Sequence, residues 1–172
     1  MPDQLPTLES PRGVDAGPRS AWPRRVGTAG LVLVVVAGAL NLFGLRTSTS
    51  TRQEQGWTVA VHHASVARAG LDVPWSVRVT HAGGLPKQVV VRVTADYFDI
   101  FEEQGLTPSP TAETDDGTWL VWTFASPPGD TMDVTFDTYV QPSSHRGRSG
   151  EVSVLLDGSP VATTPFRTVL LP

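Results

Sequence analysis

Apolar and polar residues alternate along most of the chain beyond Gly56. Trp57, Val59 and Val61 alternate with Thr58, Ala60 and His62, and Trp75, Val77 and Val79 with Ser76, Arg78 and Thr80. The same period recurs at Val89, Val91 and Val93, at Leu120, Trp122 and Phe124, at Met132, Val134 and Phe136, and at Val152, Val154 and Leu156. Successive strand side chains point to opposite faces, so period two predicts half-buried antiparallel strands. Turn residues separate the runs: Gly83 and Gly84, Asp116 and Gly117, Pro127 to Gly129, and Asp157 and Gly158. Asp-Gly pairs supply the positive φ angles that tight hairpins require. One segment departs from the pattern. In DYFDIFEEQG, Tyr97, Ile100, Phe101 and Gln104 fall at helical spacing with Gly105 behind them, which predicts one short helix between strands.

Seven or eight strands follow from this count. One sheet of that size leaves a face of Val, Trp and Phe in water, whereas two sheets packed together bury it. The expected fold is mainly β, an immunoglobulin-like antiparallel β-sandwich over residues 56–172.

A different pattern precedes it. Residues 26–45 read VGTAGLVLVVVAGALNLFGL and carry no charge. Twenty residues at about 1.5 Å each match the ~30 Å hydrocarbon core of a bilayer, so this run predicts one transmembrane helix. Ala37, Gly38 and Ala39 also form a small-x-small site, which keeps a cleaved signal peptide open as the alternative. Cleavage there leaves Leu40, Leu42, Phe43 and Leu45 on the new N-terminus, which favours an uncleaved anchor. Residues 1–25, rich in Pro, Gly, Ser and charge, predict a disordered tail. Arg12, Arg19, Arg24 and Arg25 place that tail in the cytoplasm, since basic flanks stay inside. Residues 46–55, TSTSTRQEQ after Arg46, predict a flexible linker. The sequence thus reads as a single-pass protein of the cell membrane with its β domain outside the cytoplasm.

Charge and cysteine usage narrow the chemistry. The chain has no cysteine, which excludes disulfides, thiolate zinc sites and a cysteine nucleophile. Residues 1–26 hold four Arg against three acids, while residues 46–172 hold nine basic against fourteen acidic residues. An acidic outer domain with no basic stripe argues against a nucleic-acid partner.

Residues 75–142 resemble the Ig-like modules of bacterial cell surfaces, of the conserved-repeat and cell-adhesion-related kinds. The resemblance lies in SVRVTHAGGLPKQVVVRVT, in the DYFDIFEEQGLTPSP loop, and in TWLVWTFASPPGDTMDVTFDTYVQP. It implies an adhesive, spacer or interaction module without catalysis. Such modules often stand in tandem; this chain has room for one.

Candidate site residues are few. Neighbouring His62 and His63 point to opposite strand faces and cannot share an ion, but His63 and His81 together would serve an extracytoplasmic metal-handling domain if their strands pair. Glu102, Glu103, Glu113, Asp115 and Asp116 gather acids without the spacing of a calcium loop. No Gly-x-Ser-x-Gly elbow and no glycine-rich phosphate loop is present. Trp119, out of phase with Leu120, Trp122 and Phe124, would form a contact platform with Tyr139 if both are exposed. Arg146 and Arg148, in the loop HRGRSG, stand out on an acidic domain and suit anionic partners. The sequence therefore predicts a membrane-anchored, non-catalytic interaction or accessory module of the bacterial envelope, without cofactor. Its partners are the bilayer through residues 26–45 and another envelope or membrane protein.

Overall fold

The computed structural model describes residues 18–40 and 44–171, which fall into two compact units divided after Phe43.

In the first unit one helix, α1, spans Pro18–Ala39. Proline suits the first helical position because its missing N–H would find no partner there. The helix takes in residues 18–25, which the sequence reading assigned to a disordered tail; residues 1–17 lie outside the described residues. A helix favoured over the apolar run gains one hydrogen bond for each residue added backwards except Arg19, whose carbonyl faces Pro23, a residue without an N–H. Residues 26–39 rise about 21 Å, short of a ~30 Å hydrocarbon core. Among the described residues no helix is long and apolar enough to cross a membrane. Residues 41–43 of the expected span lie outside the described residues, and Leu45 belongs to the second unit, where it packs against the core.

The second unit is a sandwich of two mainly antiparallel sheets. Eleven strands are described, not seven or eight: β1 Arg46–Glu54, β2 Trp57–Arg68, β3 Asp72–His81, β4 Gln88–Thr94, β5 Phe101–Thr107, β6 Ala112–Asp115, β7 Trp119–Ala125, β8 Thr131–Val140, β9 Ser149–Leu156, β10 Ser159–Arg167 and β11 Val169–Leu171. One sheet runs β1-β2-β3-β8-β5, with β11 pairing parallel to β2. The other runs β10-β9-β4-β7-β6.

The alternation sets the core as expected. Val77 faces Val134 across β3 and β8, and Val91 lies between Trp122 and Val154. All five are at most 2% exposed. Trp75 centres an aromatic cluster, with Phe98, Trp122, Phe136 and Phe166 rings 5.3–6.3 Å away. Edge-to-face pairs in this range add about 0.5–1.5 kcal/mol each beyond area burial.

Two expectations fail locally. The linker of residues 46–55 is β1, joined to β2 by a tight turn with φ of 50° at Gln55 and 81° at Gly56. Positive φ at both central residues is the hairpin geometry that matches strand twist. RTSTSTRQE shows no apolar alternation because β1 is a sheet-edge strand, exposed along almost its whole length. The helix predicted in DYFDIFEEQG covers only Ala95–Ile100, as a 3-10 helix, and β5 follows at once. Tyr97, Phe98 and Ile100 are all buried, so the 3-10 helix plugs one end of the sandwich.

Candidate functional site

That plugged end gathers the chemistry of the domain. Register fixes which residues lie there: Arg46 opposite Val66, Arg68 beside Leu171, Asp72 opposite Tyr139, Phe101 opposite Val140, and Ser149 opposite Arg167. The loop between β8 and β9 closes over it, with the Thr168 N–H donating to the Arg148 carbonyl. Gly147 is obligatory in this loop, because a Cβ there would overlap the Thr168 carbonyl.

A buried hydrogen-bond relay holds the pole together. The Thr168 hydroxyl donates to the Ala64 carbonyl at 2.6 Å and receives the Tyr97 hydroxyl at 2.8 Å. Burial pushes the Tyr97 phenol up to about 12, the Thr168 bond opposing this. The relay ties β2, the 3-10 helix and the link between β10 and β11.

Charges at this pole are segregated. Arg46 on β1, Arg68 on β2, Arg167 at the end of β10, and Arg146 and Arg148 before β9 occupy the β1–β2–β10 side. Asp72 on β3, Asp96 and Asp99 on the 3-10 helix, Glu102 on β5, and Asp115 and Asp116 at the β6–β7 hairpin occupy the other. Glu151 on β9 and Arg92 on β4, over Trp119 beside Asp116, are exceptions, and Arg146 and Arg148 border Asp99. Arg148 spans the divide, 3.5 Å from Asp99 and 3.8 Å from Asp96. All three side chains are about half exposed, so these pairs orient the loop more than they stabilise the fold. In the hairpin, Asp116 accepts from the Trp119 and Thr118 N–H groups, which hold its carboxyl below the usual carboxylate range.

Two depressions flank the 3-10 helix. One, of about 430 Å³, has Phe98, Phe101 and Leu120 at its base and Asp96, Asp99 and Asp115 in its wall. The other, of about 470 Å³, lies between Asp99 and Ile100 of the 3-10 helix and His145, Arg146 and Arg148 of the β8–β9 loop. A smaller crevice of about 180 Å³ opens between the edge strands β5 and β6, where the Trp122 indole N–H donates to Glu113 at 2.9 Å.

The expected platform of Trp119 and Tyr139 does not form. Trp119 lies on β7 and Tyr139 on β8, in different sheets, and each is out of phase with its buried neighbours. They sit on opposite outer faces of the sandwich. The Arg92 guanidinium stacks 4.0 Å from the Trp119 ring centre and covers that ring in place of Tyr139.

His63 and His81 are not brought together either. His81 is opposite Trp57, six positions along β2 from His63, or roughly 20 Å at ~3.3 Å per residue. His81 stacks on Trp57 with ring centres 4.3 Å apart and donates from Nδ1 to the Gly84 carbonyl. His63 is buried and its Nδ1 lies 3.2 Å from the Ala64 carbonyl; desolvation lowers its pKa, with the backbone bond opposing. Both rings are structural. Among the described residues no group of three or more potential ligands surrounds a metal position.

The sequence reading found Arg146, Arg148 and the hairpin acids but not Asp96, Asp99, Arg46, Arg68 or Arg167. The last three are spread over more than a hundred positions and meet only through strand pairing. Spacing along the chain carries no sign of them.

No family model matches the chain, and no curated protein matches it. Among solved structures it is similar to the sixth cohesin of scaffoldin B from Acetivibrio cellulolyticus, determined in complex with a dockerin. That match has 16% identity, 74% of this chain and 99% of that one covered, and a TM-score of 0.39. It is also similar to the alkylpurine DNA glycosylase AlkC of Pseudomonas fluorescens, bound to DNA containing an abasic-site analogue, at 16% identity and a TM-score of 0.31; 88% of this chain and 38% of that one are covered. At such scores neither likeness carries an argument, and the fold rests on the strand order and register described above.

Proposed function

We propose that the chain is a membrane-anchored, non-catalytic interaction module of the bacterial cell envelope, of the immunoglobulin-like adhesion kind. The acidic depression beside the 3-10 helix is its contact surface for a neighbouring membrane or envelope protein. One observation carries the contact surface: three aspartates ring a base of buried Phe98 and Phe101 at the loop end of a rigid sandwich. An apolar floor with a charged rim has the layout of a protein-binding site, the floor supplying affinity and the rim orientation. The aspartates favour a basic partner segment.

The anchor is supported by α1. Leu31, Val32, Leu33, Val34, Val35 and Val36 are each about half exposed or more, so the helix is apolar around its circumference over residues 31–36. A helix of that kind is at home inside a core or a bilayer, and costly in water. The non-catalytic reading is supported by the occupation of the buried histidine and tyrosine in structural hydrogen bonds.

Affinity capture with the full chain from solubilised membranes tests the contact surface. The reading expects a stoichiometric protein partner, retained by Asp137→Lys on the outer face of β8 and lost with Asp99→Lys and Asp115→Lys combined. Equal capture by both variants would remove the depression from the account.

A further inference from the structure

We infer that the arginine side of the plugged pole docks on an anionic phospholipid surface, leaning the sandwich onto its β1–β2–β10 edge. This rests on the reading that the chain is held at a membrane.

Three observations converge. The first is charge: Arg46, Arg146, Arg148 and Arg167 are exposed on one side of the pole, with Arg68 half-buried among them. These are five of the nine basic residues in residues 46–172, gathered at one end of a domain that is acidic as a whole. The second is apolar exposure. Only three large apolar side chains of the described β unit are strongly exposed, and one is on this side: Val169 at 40% on β11, while Leu71 at 39% lies at the same pole beside Asp72, its carbonyl accepting from the Val140 N–H. The third, Leu156, is at the far end of β9. Basic residues beside exposed aliphatic ones are the composition of an interfacial membrane contact, the arginines meeting phosphates and the aliphatic tips entering the headgroup boundary. The third observation is chain path. Gly44 and Leu45 enter the sandwich through β1 at this pole, directly after the apolar stretch.

The segregation sets the tilt. Asp72, Asp96, Asp99, Glu102, Asp115 and Asp116 lie on the opposite side of the pole and are repelled by the same surface. Leaning on the arginine edge therefore lifts the acidic depression clear and turns it sideways, toward a neighbour in the same membrane. Glu151 and, on the acidic side, Arg92 oppose this, and Arg148 is partly neutralised by Asp96 and Asp99, the latter also facing Arg146 across a shared depression.

The absence of cysteine allows a direct test on the full chain. Val169→Cys and, separately, Leu156→Cys are labelled with an environment-sensitive fluorophore, and each protein is mixed with vesicles containing quencher-bearing lipid. One set is phosphatidylcholine alone and the other also contains phosphatidylglycerol. Docking predicts quenching of the Val169 label on the anionic vesicles only, reversal by salt, and no quenching at Leu156. Combining Arg146→Gln with Arg167→Gln should lower the docked-to-undocked ratio about thirtyfold, at about 1 kcal/mol per arginine. Equal quenching on both vesicle types, or at both labels, overturns the proposal. Flotation in high salt separates the two readings. A chain that floats but shows no lipid-dependent quenching is anchored and undocked, which overturns the docking alone. A chain that floats only in low salt with anionic vesicles docks without an anchor, and floating with neither set overturns both.

Discussion

Replacing Phe136 by Ala tests the strand phase on which the whole architecture depends. Phe136 is 5% exposed and faces Trp75 across the β3–β8 ladder. Its ring centre lies 5.1 Å from Phe98, 6.3 Å from Trp75 and 6.4 Å from Trp122. Truncating a buried Phe costs about 3–5 kcal/mol. Phe136 also lines the crevice between β5 and β6, so water can reach part of the space it leaves. That places the loss near the lower end, about 3 kcal/mol. Asp137 is exposed on the opposite face, and Asp137→Ala should change stability by less than about 0.5 kcal/mol. With urea slopes of about 1–3 kcal/mol per molar, Phe136→Ala should move the unfolding midpoint down by about 1–3 M and Asp137→Ala hardly at all. The assay is urea unfolding of residues 44–172 followed by tryptophan fluorescence. Equal shifts, or a larger one at Asp137, would refute the phase and with it the two-sheet core.

Two further outcomes follow from the plugged pole. Thr168→Val removes the hydroxyl that serves both Ala64 and Tyr97, stranding two buried polar groups at about 1–3 kcal/mol each; thermal unfolding should drop by at least about 4 °C, against no measurable change for Thr135→Val on the exposed face of β8. His63 has a folded-state pKa below its ordinary 6.5, so the unfolded chain binds its proton first as pH falls. Its contribution is therefore complete above about pH 6.5 and is lost as pH drops from there toward the folded value; a pH series of urea midpoints should show that decline, and His63→Gln should flatten it.

Much of the core was legible in the sequence because burial there follows period two. Trp75, Val77 and Val79, or Met132, Val134 and Phe136, announce their face without outside help. β1 was not legible, because a sheet-edge strand with two wetted faces has no hydrophobic pattern and reads as a linker. The 3-10 helix was seen as helical, but its length was overdrawn: Phe101 is buried by strand pairing with β8, and its spacing from Tyr97 is coincidental to helix geometry. Trp119 was correctly placed out of the core phase. Its supposed companion, Tyr139, lies in the other sheet, a fact set by strand order and not by local pattern. The arginine side of the pole was invisible for the same reason, apart from Arg146 and Arg148.

The central claim is that the chain is held at the membrane with its sandwich outside the cytoplasm. Alkaline phosphatase, active only outside the cytoplasm, fused to the C-terminus and assayed in carbonate-washed membranes, tests it most directly. The account predicts strong activity in the membrane pellet, on a fusion that retains residues 26–45. Activity confined to the soluble fraction, or a fusion that is silent while a cytoplasmic reporter at the same position is bright, would contradict it.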